Sequence, residues 1–229
     1  MKKVILILAL FTATIMQAQE VKQSQIHVSG EGKIKVIPDE AIIRVAVENS
    51  GKVAADVKKK NDEAIDKVLK TIKENGIQAK DFKTEYVNLS NTYDYETKKH
   101  NYNAIQTISI HLKDLKKYEN LMMDLMNAGV NQIQGVSFMS SKIKEHEKQA
   151  RKNALLDAKQ KALDYVEVLE HQKLGKVLSI NDNSNRYYPE AMMSSFKSVA
   201  ADGGAPMRET LAIGEIEISS TVAVIFILE

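Results

Sequence analysis

The stretch VSGEGKIKVIPDEAIIRV, Val28 to Val45, decides the fold, because its paired glycines can belong either to a phosphate-binding loop or to the start of a sheet. A phosphate loop needs a third glycine and, directly after it, a helix N-terminus with free amides. Gly30-Glu31-Gly32 has neither, and the residues after it run with period two: Ile34 and Val36 share one face, and Ile43, Val45 and Val47 share another. The stretch therefore reads as strand, with glycines that relieve crowding or form a bulge. Pro38-Asp39 is turn chemistry, so Ile26 to Val36 and Ala41 to Glu48 are expected to form a hairpin.

Downstream the rhythm changes. Val57, Ala64, Ile65, Val68, Leu69 and Ile72 recur at helical spacings within Val53 to Asn75, and Gly76 supplies a stop. Phe82 to Tyr95 and Ala104 to Leu112 return to strand character and, joined by the polar ETKKHN, predict a second hairpin. Asp114 opens another helix, with Leu115, Leu121, Met122, Leu125 and Met126, which closes at Ala128-Gly129 before a strand from Gln132 to Ser140. The segments DVKKKNDEAIDKVLKTIKENGI and DLKKYENLMMDLMNAGV share an opening Asp, an aliphatic residue, two lysines and a closing glycine. They suggest a strand-helix-strand unit used twice, which duplication and convergence on good helix-start chemistry explain equally.

Ile143 to Leu174 is the longest helical segment, closed by Gly175, with His171 and Lys173 placed favourably for its negative end. Ala150, Ala154, Ala158 and Ala162 recur every fourth residue and permit close approach, either to the protein's own sheet or to a neighbouring subunit. After a short strand, Lys176 to Ile180, the segment Asn183 to Ala212 shows no sustained period and is expected to be a mobile loop. In the closing EIEISSTVAVIFILE, Ile216, Ile218, Val222, Val224, Phe226 and Leu228 share a face, and the other face turns apolar after Ala223. Such a strand belongs in the middle of a sheet or under a subunit contact. The fold class expected is α+β, a mostly antiparallel sheet with two strand-helix-strand units and one long alanine-rich helix packed on it.

At the other end, Lys2 and Lys3 precede an apolar run, Val4 to Ile15, and then MQAQ, the order of a secretory signal peptide cleaved near Ala18. That run is shorter than the roughly 20 apolar residues of a membrane span, and no later segment reaches that length, so no transmembrane helix is expected in the mature chain. A periplasmic or secreted location is the consequence. The chain has no cysteine, hence no disulfide framework and no lipidated cysteine. Its 32 Lys and Arg exceed its 30 Asp and Glu by two; without Lys2 and Lys3 the mature chain is formally neutral. A nucleic-acid binder needs a basic excess on one face, so none is expected as partner.

No catalytic constellation is visible. His27, His100, His111, His146 and His171 are scattered, without metal-ligand spacing. Ser194 to Lys197 spells SxxK but lacks its companion motifs, and no GxSxG is present. Asn181, Asn183 and Asn185 alternate like calcium ligands without the glycine and glutamate such a loop requires. No catalytic residue, metal ligand or cofactor is assigned. Tyr86, Tyr93, Tyr95 and Tyr102 gather around the second hairpin, as cross-strand pairs or as a platform for a ligand.

Four segments in this order resemble the SIMPL-domain family of secreted and periplasmic bacterial proteins: VSGEGKIKVIPDEAII, NTYDYETKKHNYNAIQTISIHLKDL, GVNQIQGVSF and ARKNALLDAKQKALDYVEVLEHQKLG. The similarity spans Ile26 to Leu228, and its most specific pieces are GEG with Pro38-Asp39 and the alanine helix with Arg151, Lys161, Ala162 and Leu174-Gly175. It departs where a glycine usual shortly before that closing Leu-Gly is replaced by Leu169-Glu170-His171. The resemblance implies helices on a largely antiparallel sheet, an envelope location, ring-like or channel-like oligomers in some members, a loose link to stress tolerance, and no known catalysis.

The resulting expectation is a signal peptide, 1–18, before one SIMPL-like domain, 19–229. It would be a non-enzymatic homo-oligomer, peripherally associated with the envelope or outer membrane. The expected oligomer contacts are Ala150, Ala154, Ala158, Ala162, Val222, Val224 and Phe226. The alternative is a periplasmic small-ligand-binding module using Tyr86, Tyr93, Tyr95 and Tyr102 with the 183–212 loop. A hydrolase whose groups meet only in the fold is the enzymatic alternative.

Overall fold

The computed structural model describes residues 23–95, 98–184 and 212–229. The signal-peptide segment 1–18 and all but the ends of the expected 183–212 loop lie outside these residues. Among them, seven strands and three α-helices form two antiparallel sheets, and the chain divides into two compact units.

The larger unit takes in residues 33–150 and 212–219. It contains β2 (Glu40–Gly51), α1 (Ala54–Glu74), β3 (Phe82–Asp94), β4 (Lys99–Leu112), α2 (Tyr118–Ala128) and β5 (Gln132–Met139). The sheet order is β3-β4-β2-β5. Because β2 runs antiparallel to both β4 and β5, and β3 antiparallel to β4, β2 and β3 point one way and β4 and β5 the other. Each strand-helix-strand unit therefore joins two parallel strands with a strand of the other unit between them, the split βαβ arrangement of ferredoxin-like sheets.

One face of this sheet carries the core. Ala41, Ile43, Val45 and Val47 of β2 and Ile108, Ile110 and Leu112 of β4 meet Ile65, Val68 and Ile72 of α1 and Leu121, Met122 and Leu125 of α2. Full burial of each such aliphatic side chain contributes about 1.5–3 kcal/mol. Asn61 is the polar member of the α1 stripe, buried and donating from Nδ2 to the carbonyl oxygens of Val47 (3.0 Å) and Ala104 (3.4 Å). Gly76 ends α1 at φ +78, with the Ile77 amide returning to the Ile72 carbonyl.

The smaller unit takes in residues 23–32, 151–184 and 220–229. Its sheet has the order β1-β7-β6, from β1 (Gln25–Val36), β7 (Ile216–Leu228) and β6 (Leu174–Asp182). The unit boundaries fall within β1, within β7 and within α3 (Ile143–Val168). Ala154, Ala158 and Ala162 of α3 pack on Val28, Val222, Val224 and Phe226. The C-terminal strand is central in its sheet, as its two-sided hydrophobicity requires.

Two expectations are corrected. β1 and β2 do not form a hairpin: β1 pairs with β7 and β2 with β4 and β5. The Pro38-Asp39 turn is held from elsewhere, with the Asp39 amide donating to the Met139 carbonyl and the Asp39 carboxylate accepting from the Ser141 amide (2.7 Å) and hydroxyl. The long helix ends at Val168, and Gly175 lies inside β6. His171, at φ +64, takes the left-handed conformation that reverses the chain.

Candidate functional site

The GEG stretch is a packing site. A Cβ built on Gly30 would lie 2.0 Å from the Ala154 carbonyl oxygen and 2.6 Å from the Ala158 nitrogen. Hydrogen is therefore the only side chain that lets β1 approach α3 this closely. The flanking polar groups fit the same contact: the Glu31 amide donates to Asp157 Oδ2 (2.8 Å), and Lys161 Nζ donates to the Ser29 carbonyl (3.2 Å) and to Asp157 (2.7 Å). Bonding to Lys161, then to the Glu31 amide, holds the Asp157 carboxyl below its ordinary pKa.

Ala150, Ala154, Ala158 and Ala162 are fully buried, and Val222, Val224 and Phe226 nearly so. Ala154, Ala158, Ala162 and the three β7 residues are covered by their own chain. The apolar groups left on the outside of α3 are Leu155, Leu156, Leu163, Tyr165 and Val168. Tyr165 and Val168, with Leu169 and Ile26, line an open apolar depression of about 500 Å³.

The structure gathers three of the four tyrosines. In the β3-β4 register, Tyr93 lies opposite His100 and Asn91 opposite Tyr102. The Tyr93 ring stands 5.0 Å from the Tyr95 ring, edge to face, and 5.0 Å from the His100 ring. His100 Nδ1 is 3.0 Å from Asn91 Oδ1. Tyr86 falls opposite Thr107 and belongs to the other face, as simple alternation requires of a residue an odd number of positions from Tyr93 in an unbroken ladder.

A titratable cluster without a signal in the sequence sits where β2 begins and β4 ends. His111 Nε2 is 2.8 Å from Glu40 Oε2, and Lys113 Nζ donates to both Asp81 oxygens at 2.7 and 2.6 Å. The Lys113 bond, opposed by desolvation, lowers the Asp81 pKa. The neighbouring cleft, about 90 Å³, is far smaller than the roughly 300–1,000 Å³ of ligand pockets. Among the described residues no three His, Asp or Glu side chains are placed to share a metal ion. The carboxylates here face cations or imidazole, an arrangement of ion pairs.

Glu48 joins three strands on the other side of the sheet's length. Its carboxylate accepts from the amides of Asn103 and Gln132, while its own backbone exchanges bonds with the Asn131 side chain at 2.9 and 2.7 Å. These groups tie the three strands together in register. Among the described residues no helix is long and apolar enough to cross a membrane.

Comparison with known proteins gives a family whose function is not assigned. The SIMPL family, described as a protein of unknown function (DUF541), matches residues 26–226. The "Uncharacterized protein YggE" of Escherichia coli (strain K12) is 30% identical over 233 residues, covering 99% of this chain and 94% of that one. The "26 kDa periplasmic immunogenic protein" of Brucella melitensis biotype 1 is 26% identical over 215 residues, 89% of this chain and 84% of that one. The protein called YggE in Edwardsiella ictaluri is 25% identical over 219 residues, 93% and 91% of the two chains.

Proposed function

The chain belongs to the SIMPL family of proteins of unknown function, and from that premise we propose that it is a non-enzymatic periplasmic protein that works by self-assembly into a large ring- or channel-like oligomer. The periplasmic location is supported by the signal-like N-terminus and by the name of the Brucella relative. One observation carries the assembly: large apolar side chains are exposed on both units, Leu156, Tyr165 and Val168 on α3 and Val87, Leu89 and Tyr95 on or beside β3. Large apolar side chains left exposed are the material of interaction sites, and assemblies of this kind bury large apolar interfaces. The setting would be the cell envelope under stress, with peripheral attachment to the outer membrane.

The test is the mass in solution of the chain from Gln19 to Glu229, by light scattering on a size-exclusion column. A discrete species of many subunits is expected, and a monomer at every concentration refutes assembly. A second function, binding of a small aromatic or apolar ligand, is favoured by the shared face of Tyr93, Tyr95, Tyr102 and His100. It requires a ligand-dependent rise in melting temperature that Tyr93→Ala and Tyr95→Ala abolish and Tyr86→Ala does not.

A further inference from the structure

Edge strands expose a row of unpaired backbone groups, and proteins blunt them with lysine, proline, bulges or shortness. Among the described residues β1 carries Lys33 and Lys35, β6 carries Lys176 and two register shifts, and β5 has eight residues interrupted by Gly135 at φ +151. β3 is the exception. It is an edge of its sheet and has 13 residues; beyond the shift at Thr84/Tyr86 its ladder with β4 runs unbroken to Asp94. From Tyr86 to Tyr93 the sequence YVNLSNTY contains no charge and no proline.

The side chains on that edge have an order of their own. Val87, Leu89, Asn91 and Tyr93 lie opposite Gln106, Ala104, Tyr102 and His100 and so share a face, which Tyr95 extends through its ring contact with Tyr93. Val87 is 66% exposed and Tyr95 84%, with Leu89 and Tyr93 near half. Outward from Asn91 the pattern is symmetric: an apolar or aromatic residue at two and at four positions on either side. Resting on the assembly proposed above, we infer that β3 pairs antiparallel with β3 of a second copy of this chain about a two-fold axis through Asn91, making one continuous eight-stranded sheet. In that register Leu89 faces the second copy's Tyr93, Val87 faces its Tyr95, and Asn91 faces its equivalent. These are the aliphatic–aromatic cross-strand pairs that stabilise sheets. The lack of charge from Tyr86 to Tyr93 removes the like-charge clash that an isologous contact brings when a charge meets its own copy.

The chain has no cysteine, so single cysteines report the register cleanly. Opposed residues have Cβ atoms about 4.5–5.5 Å apart and diagonal ones about 7–8 Å, and a disulfide needs Cα atoms within about 7 Å. Under mild oxidation Asn91→Cys forms a covalent dimer. Ser90→Cys, which faces Thr92 and lies diagonal to its own equivalent, does not. Leu89→Lys, an exposed change whose fold is checked by circular dichroism, reduces the assembly mass by light scattering to half or less. If the wild-type chain assembles while Asn91→Cys stays uncrosslinked, β3 is not the interface, although self-assembly stands. Equal crosslinking of both cysteines also overturns the register. A wild-type monomer with no Asn91→Cys dimer removes both proposals, and an extended peptide that saturates β3 without dimerisation assigns the edge to a different partner.

Discussion

The contact at Gly30 gives the sharpest prediction. A methyl group placed there would meet the Ala154 carbonyl oxygen at 2.0 Å, the Ala158 nitrogen at 2.6 Å and the Ala158 Cβ at 2.8 Å. Two of these three atoms are helix backbone, which cannot rotate away as a side chain can. To restore an ordinary separation of roughly 3.5 Å, strand and helix must part by more than about 1 Å, and gaps of that size forfeit a quarter to a half of each dispersion well. The loss falls on Ala154, Ala158, Ala162, Val28 and Phe226 together. Gly30→Ala should therefore cost about 3 kcal/mol, the upper end for an overpacked core, and lower the melting temperature by roughly 6–12 °C for a chain of this length. Urea and thermal unfolding followed by circular dichroism measure it. Gly76→Ala is the control, since Gly76 has φ +78 with nothing within 4 Å, and should cost only the left-handed strain of about 1–2 kcal/mol. A Gly30→Ala loss below that of Gly76→Ala would refute the close-approach account. Recovery of most of the stability by adding Ala158→Gly would show that the Ala158 side chain, not the helix backbone, is the obstacle.

Asp157 gives a pH dependence. Its folded pKa lies below the unfolded value of 3.8, so its stabilisation is complete above that value and fades as pH falls through the lower folded one. Asp157→Asn should destabilise at pH 7 by no more than about 1 kcal/mol, given so exposed a pair, and the gap from wild type should close in melts below pH 3.8. Asn61→Ala removes a buried donor to two strand carbonyls and should cost about 1–3 kcal/mol in urea midpoints. His171→Gly relieves a positive φ of 64 and should raise stability by up to about 1 kcal/mol, while His171→Val should lower it.

Local rhythm makes most elements legible. The helical spacing of Val57, Ile65, Val68 and Ile72 and the stop at Gly76 place α1 within a residue or two of its observed ends, because both signals are local. Partners are another matter. Pro38-Asp39 looks the same whether the chain folds back on itself or crosses to a different sheet, and the deciding bonds come from Met139 and Ser141, about a hundred residues away. Sequence misplaces the end of α3 because a histidine does what glycine usually does. Grouping Tyr86 with the other tyrosines overlooks alternation itself, since an odd number of residues separates it from Tyr93 in an unbroken ladder. The Glu40–His111 and Asp81–Lys113 pairs have no sequence signal, since β2, β4 and the turn before β3 meet only in the fold.

The residues that carry the family resemblance turn out to be residues that hold the fold. Gly30 and Glu31 of the GEG stretch meet Ala154, Asp157 and Ala158 of the alanine helix, and Lys161 reaches back to Ser29. Asp39 fixes the turn after β1 through Ser141. Arg151, on the same helix, helps hold the Asp182 carboxyl below its usual pKa, after Ser184. Each of these contacts demands a particular atom or the absence of one, which is why the motifs are specific enough to identify a family. The bonds described for these residues are made within the chain's own strands, turns and helix. Packing motifs of this kind can pass among relatives of different function, since fold alone does not determine function. Function in this chain is therefore to be sought where the motifs place no demand. The outer face of α3 and the charge-free edge of β3 are such surfaces, and their exposed apolar side chains cost the isolated chain solubility without contributing to its core.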